Sequence, residues 1–221
     1  MKKLLIICAT AIVLSGLTAQ ANVTYLFKHI VEPGDSPAQL ANGAIGEAQM
    51  FVTVGDPGFS QVLFSFTNIG PYASSLTAVY FDDDGVLSAM TSIDNADPGV
   101  SFSQYAKPAN LKGANLLSPP FVTTPGFSAD SDSPIVPNGV NPSESLGIIF
   151  GLQPDKTFSN VLSSLNDDSL RIGINVQGFS NGGSESFINN GDPSVIPVPS
   201  ALILVAIGTV LVGWLRRRGT L

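Results

Sequence analysis

The sequence predicts an all-β domain, a jelly-roll-like β-sandwich with one short helix, over residues 22–188 of the 221-residue chain. Three features predict this class: the apolar runs are short, turn residues separate them at close intervals, and one segment alone has helical periodicity. The chain contains 22 glycines and 16 prolines, which are residues that tight turns between short strands require.

The strand candidates are short apolar runs that end in turn residues. They are residues 49–54, 61–67, 76–81, 86–90, 146–152, 170–177 and 186–188. Residues 76–81 and 86–90 flank an Asp-Asp-Asp-Gly turn, so we expect them to pair as a hairpin. Residues 170–177 alternate between apolar and polar or glycine, which predicts one face on the core and one in solvent. Residues 186–188 are expected to pair with 170–177 across Gly182-Gly183.

One helix is predicted at residues 157–165, where Phe158, Val161, Leu162 and Leu165 follow the i, i+3, i+4, i+7 spacing of a single helical face. Asp155 or Thr157 would cap its N-terminus. Residues 107–145 contain seven prolines, which predicts a long surface excursion without regular structure.

Residues 1–21 have the pattern of a secretory signal peptide. Lys2 and Lys3 precede an apolar run at residues 4–14, and Ala19-Gln20-Ala21 is an A-x-A cleavage site. The alternative is an uncleaved membrane anchor, for which the run is short. Cleavage after Ala21 would remove Cys8, the single cysteine, so the mature chain would cross into a disulfide-permissive compartment without disulfides.

The C-terminal segment has the pattern of a short membrane anchor. Residues 201–215 carry no charge, and Arg216, Arg217 and Arg218 follow as a cluster that would remain on the cytoplasmic side. Pro197-Val198-Pro199 should be extended, because proline fixes φ and disfavours helix in the residue before it. Residues 189–196 upstream are predicted to be a polar linker.

This order of Pro-x-Pro motif, apolar helix and terminal arginine cluster resembles the PEP-CTERM protein-sorting signal of Gram-negative bacteria. The resemblance covers residues 197–221, and Val198 stands where the family usually has an acidic residue. It implies recognition by an exosortase-type membrane protease or transpeptidase, removal of the tail near Pro197 and Pro199, and export to the cell surface or extracellular matrix. It also implies association with exopolysaccharide. The alternative is an ordinary C-terminal anchor.

The charge distribution argues against several partners. The chain has 10 Lys and Arg against 17 Asp and Glu, and residues 22–199 contain five bases and all 17 acids, a net charge of 5 − 17 = −12. Nucleic-acid affinity and docking on anionic lipid both depend on clustered Lys and Arg. We therefore expect no nucleic-acid partner, and contact with the membrane only through the C-terminal helix.

Catalysis by histidine or thiol is not expected. His29 is the only histidine and lies close to the predicted mature N-terminus, where a structural or solvated role is expected. Paired carboxylates leave a glycan-active enzyme as an alternative, because the separation that glycosidases need is not visible in a sequence.

Two binding chemistries remain open. Asp82, Asp83 and Asp84 cluster in one turn and would suit Ca²⁺, which prefers oxygen ligands, although they do not form an EF-hand loop. Asp130 and Asp132 form a second acidic pair, and the alternative for both groups is a turn-forming and solubilising role.

Carbohydrate binding would use exposed aromatic side chains. Tyr72 and Tyr105 lie near turns, whereas Tyr80 lies in a strand and is a core candidate; the single Trp, Trp214, belongs to the tail. The sequence therefore predicts a non-enzymatic exported surface or matrix protein, with a carbohydrate- or calcium-binding module as the alternative.

Overall fold

The structure is a computed structural model that describes residues 22–95 and 97–194. It is mostly β, as predicted, with two α-helices and a 3-10 turn at Ala114–Leu116 in this part of the chain. The strands are β1 Val23–His29, β2 Met50–Gly55, β3 Gln61–Asn68, β4 Ser75–Asp83, β5 Leu87–Asp94, β6 Phe102–Gln104, β7 Ser128–Ser131, β8 Ser145–Leu152, β9 Leu170–Gln177 and β10 Ser184–Ser194. The helices are α1 Pro37–Gln49 and α2 Phe158–Asn166.

The strands form one continuous antiparallel sheet in the order β5-β8-β3-β2-β1-β10-β9-β4-β7-β6. The sheet curls until it is nearly closed, and the side chain of Asn95 bridges the two edges by bonding both backbone polar groups of Phe102. The prediction of a jelly-roll sandwich of two sheets is therefore not what the strand pairing shows. The sequence reasoning missed β1, which pairs with both β2 and β10 and so joins the two halves.

The predicted hairpin between residues 76–81 and 86–90 is wrong. Both segments are strands, but β4 pairs with β9 and β7, whereas β5 pairs with β8. The carboxylate of Asp83 accepts hydrogen bonds from the backbone N–H groups of Val86 at 3.0 Å and Leu87 at 3.1 Å. These bonds fix a corner that directs the chain to the opposite edge of the sheet instead of back along β4.

The main core fills the inside of the curled sheet. Phenylalanines from three strands and a loop meet there edge to face, and the centroids of Phe81 and Phe150 lie 4.7 Å apart. Such pairs add about 0.5–1.5 kcal/mol each beyond the area they bury. The aromatic residues of this cluster are Phe64, Phe66, Phe81, Phe127 and Phe150.

Two helices contact this core. Helix α2 has the predicted position, and Thr157 is its N-cap, with its N–H donating to Asn160 Oδ1 at 2.9 Å. The prediction of a single helix is wrong, because α1 was missed. The residues that α1 buries include Gly43 and Gly46, which leave space for the rings of His29 and Phe187, so its buried face has no apolar pattern in the sequence.

The outer face of β9 is largely covered, contrary to prediction. Residues 105–121 pack over β4 and β9 and enclose a second apolar cluster made of Ile30, Ala78, Tyr80, Ala106, Leu111, Ala114 and Phe121. An added Cβ at Gly173 would lie 2.6 Å from Leu111 Cδ2, so glycine is needed there for the close approach. The prediction that residues 107–145 lack regular structure is wrong in part, because they contain β7 and the 3-10 turn.

The first and last strands of the described part of the chain are neighbours in the sheet. Strand β10 continues through residues 189–194, which were predicted to be a linker, and pairs with β1 so that Thr24 lies opposite Ser194. The predicted signal peptide, the Pro-x-Pro motif and the predicted anchor helix lie outside the described residues. No helix within residues 22–95 and 97–194 is long and apolar enough to cross a membrane.

Candidate functional site

A groove of about 210 Å³ opens on the outer face of β4, β7 and β9. It lies beside the segment that covers the second apolar cluster. Its lining combines a few apolar groups with hydroxyl, amide, carboxylate and ammonium groups: Thr77, Ala78, Tyr80, Lys107, Pro108, Lys112, Asp130, Ser131, Ile135, Asn175, Gln177 and Ser184.

A small residue between two larger ones creates the depression. Asp130 on β7, Ala78 on β4 and Asn175 on β9 are direct cross-strand neighbours. Because neighbouring residues in register point to the same face of a sheet, the methyl group of Ala78 forms the floor between a carboxylate and an amide. A register shift between Leu76 and Ala78 brings Thr77 into the lining as well.

The polar wall along β9 is held by its own hydrogen bonds. Asn175 Oδ1 accepts from Thr77 Oγ1 at 3.3 Å and from Gln177 Nε2 at 3.2 Å. The Asn175 Nδ2 group in turn lies 3.4 Å from the backbone oxygen of Glu185 and donates to it. Side chains that are fixed in this way need little further ordering when they meet a ligand.

Tyr80 forms a buried wall and stays protonated. Its hydroxyl donates to the backbone oxygen of Pro108 at 3.2 Å. Burial first, and the negative charge of Asp130 second, raise the pKa of Tyr80 to about 12. The phenol is therefore a neutral donor at any physiological pH.

One buried polar atom close to the groove has no partner. Ser131 is 5% exposed, and its Oγ makes no hydrogen bond within the part of the chain that the structure describes. A buried hydroxyl without a partner costs about 1–3 kcal/mol, so such a group usually indicates a bound water or ligand. Ser131 follows Asp130 on β7 and shares a face with Ala129 of the main core, so its hydroxyl lies on the inner face of the sheet and not in the groove.

The three aspartates that the sequence suggested as calcium ligands do not line the groove. Asp82 is ion-paired with Arg171 and accepts from the N–H of Val122 at 3.0 Å. Asp83 is engaged in the corner described above, and burial raises its pKa above the ordinary value, against the lowering effect of its backbone hydrogen bonds. Asp84 is exposed beside them.

The two aspartates of the second acidic pair, Asp130 and Asp132, have different partners. Asp132 accepts from Ser101 Oγ at 2.6 Å and Ser103 Oγ at 2.7 Å, and these hydroxyl donors lower its pKa. Asp130 faces the groove and accepts from the N–H of Lys107 at 3.0 Å. Residues 22–95 and 97–194 bring no three potential metal-ligating side chains together, and calcium at Asp82, Asp83 and Asp84 stays a prediction.

The three tyrosines lie where the sequence suggested. Tyr72 is 59% exposed and Tyr105 is 65% exposed, whereas Tyr80 is 2% exposed. Each exposed ring is separate from the groove lining.

His29 is buried and structural in its contacts. Its Nε2 lies 3.2 Å from Glu185 Oε2, and its backbone N–H donates to Glu47 Oε1 at 2.8 Å. The contact between His29 and Glu185 therefore links β1 to β10, and the contact with Glu47 links α1 to β1.

Sequence reasoning missed the groove because its residues come from four separate stretches of chain between Thr77 and Ser184. Only the alternation in residues 170–177, which places Asn175 and Gln177 on one face, was visible in advance.

In comparisons with known proteins, no family model, no curated protein and no solved structure matches the chain.

Proposed function

We propose that this chain is a non-enzymatic exported protein of the cell surface or extracellular matrix, delivered by an exosortase-type system and associated with exopolysaccharide. The sorting residues would be Pro197, Val198 and Pro199 with the terminal arginine cluster, and the signal peptide would be cleaved after Ala21. Localisation would be transient attachment to the inner membrane, followed by release to the surface.

The observation that carries the proposal is the pairing of the two terminal strands. β1 begins at Val23, two residues after Ala21, and the described part of β10 ends at Ser194, three residues before Pro197. Because these strands are antiparallel neighbours, the start of β1 and the described end of β10 lie at the same end of the folded body. Each of the two predicted processing sites is only two or three residues away in the sequence.

The positions of the carboxylates support the proposal of a non-enzymatic protein. A glycosidase uses two carboxyl groups across one sugar. Among the residues that line the groove in the described part of the chain, Asp130 is the single carboxylate. Asp83, the carboxyl group with a raised pKa, holds a corner of the backbone instead of facing the groove.

Mass spectrometry of the mature protein from its native cell tests the proposal, because it defines both termini. We expect an N-terminus at Asn22 and a C-terminus near Pro197–Pro199. Pro197→Ala combined with Pro199→Ala should leave the tail attached, whereas Pro154→Ala, an exposed proline in a turn of the body, should be processed normally. An intact arginine cluster in the final wild-type product would contradict the proposal.

The second candidate, a carbohydrate-binding module, is favoured by one observation, which is the preformed polar groove with the exposed Lys107 at its side. The two candidates are compatible, since a surface protein of an exopolysaccharide-producing cell can also bind the polymer.

A further inference from the structure

We propose that the groove lined by Ala78, Lys107, Asp130 and Gln177 binds one acidic sugar residue, a polyhydroxylated ring that carries a carboxylate. The inference rests on the proposed function, because an exopolysaccharide at the cell surface would supply such a sugar residue. It goes beyond that role by naming the site and the chemical class of the ligand.

The charge of the groove differs from that of the body around it. Residues 22–199 carry only five bases, and two of them, Lys107 and Lys112, line this groove. Lys112 is paired with Glu32 at 3.0 Å, whereas the ammonium of Lys107 forms no ion pair within the described residues. An exposed ammonium on an otherwise acidic surface is a site where a carboxylate is locally attracted while polyanions elsewhere are repelled.

The remaining lining suits the hydroxyl groups of a sugar. Gln177 offers an amide group and Asp130 offers an acceptor, whereas the Asn175 amide is already bonded within the fold. Sugar hydroxyl groups donate and accept at the same atom, so they can satisfy such a mixed set. The Ala78 methyl and the Ile135 side chain provide apolar contact for C–H groups of the ring.

The size of the groove limits the ligand. Its volume of about 210 Å³ is below the range of roughly 300–1,000 Å³ in which larger organic ligands are held. This volume corresponds to one sugar residue of a polymer whose neighbouring residues remain outside the groove. The open face of the groove would let the chain of the polymer continue in both directions.

Isothermal titration calorimetry on the purified full-length chain tests the site directly. The probe is tetragalacturonate, the neutral control is maltotetraose, and acetate and inorganic phosphate are the small-anion controls. At ionic strength near 0.15 M the Debye length is about 8 Å, so distant repulsion is screened while contacts within the groove remain. We expect saturable binding of tetragalacturonate that acetate and phosphate do not reproduce and that exceeds maltotetraose binding.

Two variants locate the binding. Lys107→Met should weaken tetragalacturonate binding about tenfold or more, because a charge-assisted contact is lost, while the matched Lys156→Met on the exposed turn before α2 should not. Gln177→Ala should weaken binding roughly fivefold, because its amide contact is lost. The urea unfolding midpoint of Gln177→Ala checks that this variant remains folded.

Several results would overturn the inference. They are the absence of saturable heat with tetragalacturonate, equal binding of maltotetraose, equal binding of acetate or phosphate, or equal losses in Lys107→Met and Lys156→Met. None of these results depends on tail processing, so failure of this site and failure of the sorting proposal are separately visible.

Discussion

The acidic corner at Asp82–Asp84 and the groove beside Ala78 lie on the same strand and differ in what their polar atoms do. In the corner, Asp82 and Asp83 are bonded to Arg171 and to backbone N–H groups of the fold. In the groove, the Lys107 ammonium has no ion pair within the described residues, and the side chains of Asp130 and Gln177 belong to the lining. The corner stabilises the fold, and the groove offers groups to a ligand.

The difference shows that a conspicuous cluster in the sequence is a poor guide to which polar groups remain available. Three adjacent aspartates suggest a binding site, but aspartates in a turn commonly accept hydrogen bonds from the backbone of that same turn. The groove residues are dispersed along the chain and converge only through strand pairing.

Arg171→Ala should be the most damaging change at the corner, with a loss of about 4 kcal/mol of unfolding free energy. The buried guanidinium pairs with Asp82, donates to the backbone oxygens of Pro119 at 2.6 Å and Pro120 at 2.7 Å, and lies 5.5 Å from the Phe121 ring centroid. Its removal leaves a partly buried carboxylate and two carbonyl groups unpaired. Urea unfolding measures the loss, and an effect no larger than that of Lys156→Ala would contradict the structural role of the corner.

Leu111→Ala should cost about 3 kcal/mol, because this 3% exposed side chain of the covering segment packs on Gly173 of β9. Hydrogen exchange should accelerate in residues 107–121 before it does in the main core. Uniform acceleration across the sheet would indicate that the cover and the core unfold as one unit. An unchanged exchange rate in the cover would show that the outer face of β9 is not packed as described.

Asp83 and Asp132 should give opposite pH dependences. Burial raises the pKa of Asp83, so its contribution to stability is present below its unfolded pKa of 3.8 and is lost as pH rises through the folded value. Hydroxyl donors lower the pKa of Asp132, so its contribution is present above 3.8 and is lost as pH falls through the folded value.

Unfolding free energies of wild type, Asp83→Asn and Asp132→Asn across roughly pH 3 to 6 measure this contrast. The stability of Asp83→Asn relative to wild type should rise with pH, and that of Asp132→Asn should fall with pH. Slopes of the same sign in both variants would contradict the assignment.

Lys107→Met should have the smallest effect on stability, within about 0.5 kcal/mol of wild type. The side chain is exposed, and its ammonium forms no ion pair in the described part of the chain. A larger loss in thermal or urea unfolding would mean that the groove, like the corner, contributes to the fold.

The sequence was sufficient for elements whose pattern is local. Strands β2, β3, β8 and β9 and helix α2 lie close to their predicted positions, because alternation or helical spacing determines which residues are buried. The pairing of β10 with β9 across Gly182-Gly183 was also predictable from turn residues.

Features that depend on distant contacts were not predictable. Helix α1 buries glycine, asparagine and glutamine, because Gly43 and Gly46 admit the rings of His29 and Phe187 and Gln49 bonds the Tyr72 backbone. The single sheet depends on β1 pairing with β10 across the whole chain. The groove depends on which polar groups remain without partners after such pairings form.

The most direct test of the contrast between corner and groove is an NMR titration of the full-length chain with tetragalacturonate, observed at the side-chain amides of Asn175 and Gln177. We expect the resonances of these two amides to shift and saturate together, while those of the backbone amides of Asp82–Asp84 stay in place. Shifts concentrated at the corner, or at Tyr72 and Tyr105 with the two groove amides unmoved, would contradict it.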